Sequence, residues 1–295
     1  MSFVDFMIIG AMKSGTTTLA NMLSQHPDIC FSRKKEPHFF SKTENWQLNI
    51  DDYRALYTPT EGKLCGEAST SYACYPEFNK TTYKSLYEFN PELKIIYVMR
   101  HPIDRMVSHY MHTYLRGYIN SSFEEAVMHH PSYVNRTRYF TQIKPYLECF
   151  GPERVFLLTF EEFLSDKQAV LQRIASFLEI DYSRMSDFED VHRNKSIGSS
   201  KKSIKIEQLR SARWTKQVRS LLPTTLKKNL YELLHRMTVR TLDEKPSVSE
   251  NLNKVLWDLV MLDVLEIEKL MQRELVEWNI PRSSPAHLEM IDSKA

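Results

Sequence analysis

The stretch Gly10-Ala11-Met12-Lys13-Ser14-Gly15-Thr16-Thr17 has the composition of an anion cradle. Two of the seven glycines in the chain bracket it, a lysine stands inside it and hydroxyl residues close it. Glycine allows a tight backbone path, and the free N–H groups at the start of a helix favour phosphate. A nucleoside-triphosphate loop of the GxxxxGK[ST] kind sets its lysine directly after the second glycine. Here that place holds Thr16 and the lysine has moved forward to Lys13, so the cation meets a phosphate chain at its near end. This weakens a P-loop kinase reading. The spacing alone also suits an ordinary strand-to-helix turn with a surface lysine.

Two more groups could do chemistry. Arg100-His101-Pro102 with Ser108 pairs a planar guanidinium with a nearby hydroxyl, a combination that suits a phosphate monoester. The apolar run before it ends in Arg100 and not in a magnesium-binding Asp, a further mark against a kinase. In Lys35-Glu36-Pro37-His38-Phe39-Phe40 a carboxylate and an imidazole stand two residues apart in a partly apolar setting, and either could act as a general base. The bland alternatives are an arginine at a strand end, a serine on a helix face, and a surface carboxylate whose pairing with Arg33, Lys34 and Lys35 is worth under about 1 kcal/mol.

The elements that must carry these groups follow from hydrophobic patterning. Phe3 to Ile9 is a nearly continuous apolar run ended by Gly10, the mark of a buried parallel strand. Thr16 to Gln25 carries Leu19, Met22 and Leu23 at helical spacing, and His26-Pro27 stops it. The pattern returns as strand Leu93 to Met99 with helix Ile103 to Leu115, and as strand Val155 to Phe160 with helix Gln168 to Leu178. Strands alternating with helices predict an α/β fold, a doubly wound parallel sheet flanked by helices. Beyond Ile180 strand signals fade, and Val248 to Leu275 has the leucine spacing of a long helix. With neither an internal repeat nor a Gly/Pro-rich linker, residues 1–295 are expected to form a single domain. Its sheet core spans about 3–180 and a helical C-terminal third covers about 204–280.

Composition narrows the function classes. Hydrophobic residues make up 42% and charged residues 26%, enough apolar material for a substantial core. Cys30, Cys65, Cys74 and Cys149 show no zinc-ligand spacing and are expected to be reduced thiols. The longest apolar runs fall short of a membrane span, so a cytoplasmic location without membrane attachment is expected. Net charge is only +2, which does not point to nucleic acid. Yet Arg193 to Lys228 holds eleven Lys or Arg against the single acid Glu207, leaving a polyanion-binding module as a rival reading.

Taken together, Lys13-Ser14-Gly15-Thr16-Thr17 after a strand resembles the 5′-phosphosulfate loop of sulfotransferases that use 3′-phosphoadenosine-5′-phosphosulfate (PAPS). Arg100-His101-Pro102 through Ser108 is similar to their 3′-phosphate motif. Lys35 to Phe40 resembles the segment around the catalytic glutamate in the heparan-sulfate-type and related bacterial branch, and the likeness runs from Phe3 to about Ile180. The resemblance implies a P-loop-like fold and sulfuryl transfer from PAPS to a hydroxyl or amine, with PAP released and no metal required. It implies that Lys13 and Glu36 are catalytic, and that Lys13, Ser14, Gly15, Thr16, Thr17, Thr18, Arg100 and Ser108 bind the nucleotide. Lys201 and Lys202 fall where relatives close a basic loop over it. His38, the rival base because cytosolic-type relatives use histidine, is expected with Tyr139 and Gln142 on the acceptor side. Where heparan-type relatives carry a lysine, this chain has Glu67-Ala68-Ser69-Thr70-Ser71, which favours a small-molecule acceptor over a heparan-like glycan. The oligomeric state is left open.

Overall fold

A computed structural model describes residues 3–58, 62–77, 80–185, 201–202, 239–240, 242 and 244–280. In chain order the elements around the sheet are β1 Phe6–Gly10, α1 Thr16–Leu23, β2 Ile29–Phe31, α2 Phe39–Lys42, α3 Ile50–Arg54, β3 Leu64–Ala68, α4 Thr82–Phe89, β4 Lys94–Met99 and α5 Pro102–Leu115. There follow α6 Phe123–His129, α7 Ser132–Asn135, α8 Tyr139–Phe150, β5 Val155–Thr159, α9 Phe160–Ser165, α10 Lys167–Leu178 and α11 Glu250–Met271. The five strands form one parallel sheet in the order β2-β3-β1-β4-β5, as the βα alternation predicts.

Alternation along the strands explains why both faces are covered. Met7 and Ile9 of β1, with Ile95, Tyr97 and Met99 of β4, face the core built by α5, α8 and α11. Phe6, Ile8, Ile96 and Val98 point the other way, against Leu19 and Leu23 of α1 and Val170, Leu171 and Ile174 of α10. From β1 the chain passes to the edge strand β2, returns to β3 beside β1, and then crosses to β4 and β5 on the other side. The strand order thus reverses between β1 and β4, the place where open α/β sheets bind ligands at their carboxyl ends.

Two strands, β2 and β3, lie where the apolar pattern predicts none. β2 is three residues long, and β3 carries Gly66 and Glu67 in its middle, so neither makes a continuous apolar run. Gly66 is required there, because a Cβ would stand 2.2 Å from the Phe6 ring. The predicted long C-terminal helix is α11. Among the described residues no helix is long and apolar enough to cross a membrane. Lys201–Lys202 are described as a two-residue strand paired antiparallel with Val239–Arg240; the rest of the basic stretch Arg193 to Lys228 lies outside the described residues.

Candidate active site

One cleft of about 330 Å³ opens at the carboxyl edge of the sheet, lined by Lys13, Gly15, Thr16, Thr17, Thr18, Glu36, Arg100 and Ser108. It gathers residues from three separate sequence motifs. Met12, Lys35, Thr70, His112, Arg116 and Phe160 complete its wall.

The floor is the β1–α1 turn. Lys13 and Gly15 both adopt left-handed backbone, with φ of 74° and 84°. Gly15 could not be replaced without strain, since a Cβ would sit 2.5 Å from the Phe160 ring. As the N-cap of α1 it leaves the N–H groups of Thr16 and Thr17, two residues that line the cleft, without intrahelical acceptors. Thr18 N–H is used internally, donating to Gly15 O at 2.9 Å. Ser14, expected in nucleotide contact, is fully buried next to the cleft residues Lys13 and Gly15 and is not among the residues lining the cleft. Its N–H donates to Ala11 O at 3.2 Å, and its hydroxyl is buried without a partner.

The wall is the β4–α5 turn. Arg100 Nη1 donates to Lys13 O at 3.2 Å, tying the two turns together, and the guanidinium lies 5.1 Å from the centre of the Phe160 ring. Arg100 Nε is shielded from solvent without a partner, and a buried donor of that kind is costly unless an acceptor arrives. Behind it, His101 caps α5 by accepting from Asp104 N–H, and Pro102 occupies the first turn, where its missing N–H costs nothing. His101 N–H donates to Glu161 Oε1 at 3.0 Å, and Trp278 Nε1 donates to Glu161 Oε2 at 2.9 Å.

Tyr139 and Gln142, expected on the acceptor side, are both buried. Tyr139 hydroxyl donates to Arg100 O at 2.6 Å, fixing the backbone of the arginine. Gln142 Nε2 donates to Asn135 O at 3.0 Å and to Tyr75 O. Tyr139 thus holds the backbone of Arg100, Gln142 bonds carbonyls away from the cleft, and neither is among the residues lining it.

Glu36 and His38 have left-handed backbone, with φ of 50° and 57°. With Lys13 they make three of the seven non-glycine residues of that kind among those described. Such strain persists only where surrounding contacts hold it, and it concentrates at functional sites. The contacts come from the segment after β3. Ser69 Oγ accepts from His38 N–H at 3.0 Å, Ser71 Oγ lies 2.7 Å from His38 Nδ1, and Thr70 Oγ1 donates to Glu36 Oε1 at 3.4 Å. The Ser-Thr-Ser run that sequence reading took as a missing glycan contact is thus the mount of both candidate bases. His38 Nε2 stands 3.7 Å from Glu36 Oε2. Burial, then Lys42, hold the imidazole below its ordinary value, against the pull of Glu36. Glu36 lines the cleft, while His38 is outside its wall.

Of the wall residues that sequence reading missed, His112 and Arg116 had a signal. They follow Ser108 at intervals of four on one helix and share its face. Phe160 and Thr70 had none, because their approach to Arg100 and Glu36 depends on strand order.

Comparison with known proteins identifies the family. The family described as Sulfotransferase domain matches residues 4–238. Human heparan sulfate glucosamine 3-O-sulfotransferase 6 is 26% identical over 185 residues, covering 60% of this chain and 52% of that protein. Mouse heparan sulfate glucosamine 3-O-sulfotransferase 3A1 is 28% identical over 181 residues, 58% and 44% of the two chains. The chain spans about half the length of the curated relatives it matches. The crystal structure of a sulfotransferase from Alicyclobacillus acidocaldarius superposes with a TM-score of 0.64 at 27% identity, covering 95% of this chain and 100% of that one. From its matched length, its sheet and the loop at its switch point, the chain belongs to the sulfotransferase-domain family.

Proposed function

We propose that the chain transfers a sulfuryl group from PAPS to a hydroxyl or amine of a small-molecule acceptor and releases PAP. The observation that carries this reading is the single cleft in which Lys13, Glu36, Arg100 and Ser108 meet, although the sequence spreads them over nearly a hundred positions. The cleft has the size and polar lining of a nucleotide site. The partnerless Arg100 Nε in its wall fits a phosphate oxygen of the donor.

In this reading the N–H groups of Thr16 and Thr17 and the threonine hydroxyls bind the 5′-phosphate, while Arg100 and Ser108 hold the 3′-phosphate. Glu36 takes the proton from the acceptor as its oxygen or nitrogen bonds to sulfur. Lys13 neutralises the charge that gathers on the 5′-phosphate oxygen as its bond to sulfur breaks. Fixed charges aimed at a developing charge are the strongest means available to such a site. His38, anchored by Ser71 and half-buried beside Glu36, orients the carboxylate.

A small acceptor is favoured because the segment from Gly66 to Tyr72 offers no cation. A groove of about 220 Å³ also leads from Glu36 past Asn21, Ser24 and Phe31, room for a compact molecule. The glycan alternative has its own observation in the exposed Arg33, Lys34 and Lys35 along that groove.

The test is transfer of labelled sulfate from PAPS across a panel of phenols, alcohols, amines and oligosaccharides. Glu36→Gln keeps the shape of the side chain and cannot accept the proton, so kcat should fall about 100- to 10,000-fold. His38→Asn should lose much less. An active Glu36→Gln beside an inactive His38→Asn would make histidine the base. A wild-type protein that binds PAP and transfers to none of the four classes would overturn the catalytic reading.

A further inference from the structure

The nucleotide end of the cleft carries more positive charge than Arg100 supplies. Helix α5 ends at Leu115 with Arg116 as its C-cap. Ser108, His112 and Arg116 recur every four residues, so they stack on one helix face, and all three line the same cleft as Arg100 and Phe160. Arg116 Nε is shielded from solvent and has no partner, the same condition as Arg100 Nε. Two guanidiniums in one wall, each with an unused buried donor, call for an acceptor with several oxygens and more than one charge.

We infer that Arg116, with His112 one turn before it, forms the second half of the 3′-phosphate subsite. The inference rests on the PAPS reading and deepens it, because it states how the bisphosphate nucleotide is told from an ordinary one. A phosphate monoester carries about −1.5 to −2 at neutral pH. Arg100 offsets one unit of that charge and Ser108 none, whereas a second guanidinium completes the balance. The helix permits it. Arg116 lies about 12 Å along the axis from Ser108, given 1.5 Å per residue, and helical side chains lean back toward the N-terminus. That lean brings the arginine head toward the level of Ser108. Its position at the helix C-terminus also suits a cation.

The experiment compares binding of PAP with binding of adenosine 5′-monophosphate, which lacks only the 3′-phosphate, in the wild-type protein, Arg116→Gln and Arg116→Lys. Wild type should prefer PAP strongly. Arg116→Gln should weaken PAP by roughly 10- to 100-fold and leave the monophosphate within about twofold, and Arg116→Lys should recover part of the loss. His112→Asn should shift the PAP affinity in the same direction by less. Melting temperatures without ligand separate binding from folding, and Arg116→Lys serves where Arg116→Gln is unstable. A preference for PAP undiminished in both Arg116 variants overturns the inference, as does an equal loss for both nucleotides. Absence of any preference in the wild type overturns the PAPS reading itself.

Discussion

The two turns that build the cleft are made in opposite ways. The β1–α1 turn holds its shape through its own backbone. Lys13 and Gly15 take left-handed conformations and Ser14 bonds back to Ala11, while a side-chain bond to its backbone comes from Arg100 on Lys13 O. The β4–α5 turn has ordinary backbone and is fixed from outside by Tyr139 on Arg100, Glu161 on His101, and Trp278 on Glu161. A loop that shapes itself presents N–H groups to a phosphate and has little freedom to vary. A loop clamped by distant elements presents a side chain, and its aim depends on how the C-terminal segment docks. In the proposed reading the first turn serves the reacting end of the donor and the second its recognition.

Substituting the charged residue of each turn should therefore split kinetics from binding. Lys13→Ala should lower kcat by about 100-fold or more, the size seen when one transition-state donor is removed, and change PAP affinity little. Arg100→Ala should cost roughly 2–5 kcal/mol of PAP binding if the pair is desolvated. Stopped assays with saturating PAPS and calorimetric titration of PAP read the two quantities. Losses of the same kind in both variants would erase the division of labour between the turns.

The crowding of cations around these turns gives a second test. His109, on α5 behind Ser108, is buried with its Nδ1 unpartnered, and its ring centre lies 4.5 Å from that of Tyr133. Burial, then the positive charges of Arg105, Arg136, His112 and Lys13, push its pKa down to about 2. The folded state therefore binds fewer protons than the unfolded chain from about pH 6.5 downward, and stability is lost as pH falls through that range. The slope contributed by this one group approaches about 1.4 kcal/mol per pH unit. Urea denaturation between pH 7 and pH 5 should show that loss, and His109→Phe, which keeps a ring and cannot be charged, should flatten the slope. An unchanged slope would mean that His109 finds solvent or a partner when protonated.

The same contrast explains what the sequence could disclose. The first turn was legible because its geometry demands glycine at fixed places and a hydroxyl run after it, a local requirement written in adjacent letters. Arg100, Ser108 and Glu36 were legible as residue types. The family resemblance implies that they share one site with Lys13, but hydrophobic patterning alone could not bring Glu36 there, since that depends on β1 standing between β3 and β4, and β3 hides its strand character behind Gly66 and Glu67. Glu67 is fully buried, and burial raises its pKa to about 7; no alternation rule would place such a residue inside a sheet. Nor could patterning show that Tyr139 and Gln142 bond backbone groups, Tyr139 that of Arg100 and Gln142 those of Tyr75 and Asn135.

The smallest expected effect concerns the clamp on the second turn. Glu161 accepts two hydrogen bonds, from His101 N–H and from the Trp278 indole. In Glu161→Gln only one side-chain oxygen remains to accept, and the amide nitrogen faces a donor. One charge-assisted bond is lost and one donor is left unpaired, at a cost of about 1–3 kcal/mol. Because Tyr139 still holds both the N–H and the carbonyl of Arg100, the guanidinium should keep its aim over Phe160. Stability by urea denaturation should then fall while PAP affinity stays within a few-fold of wild type and kcat is preserved. A loss of PAP affinity beyond tenfold would mean that Glu161, and through it the docking of the Trp278 segment, governs the reach of Arg100. The second turn would then be a point through which contacts at the C-terminal segment change nucleotide binding.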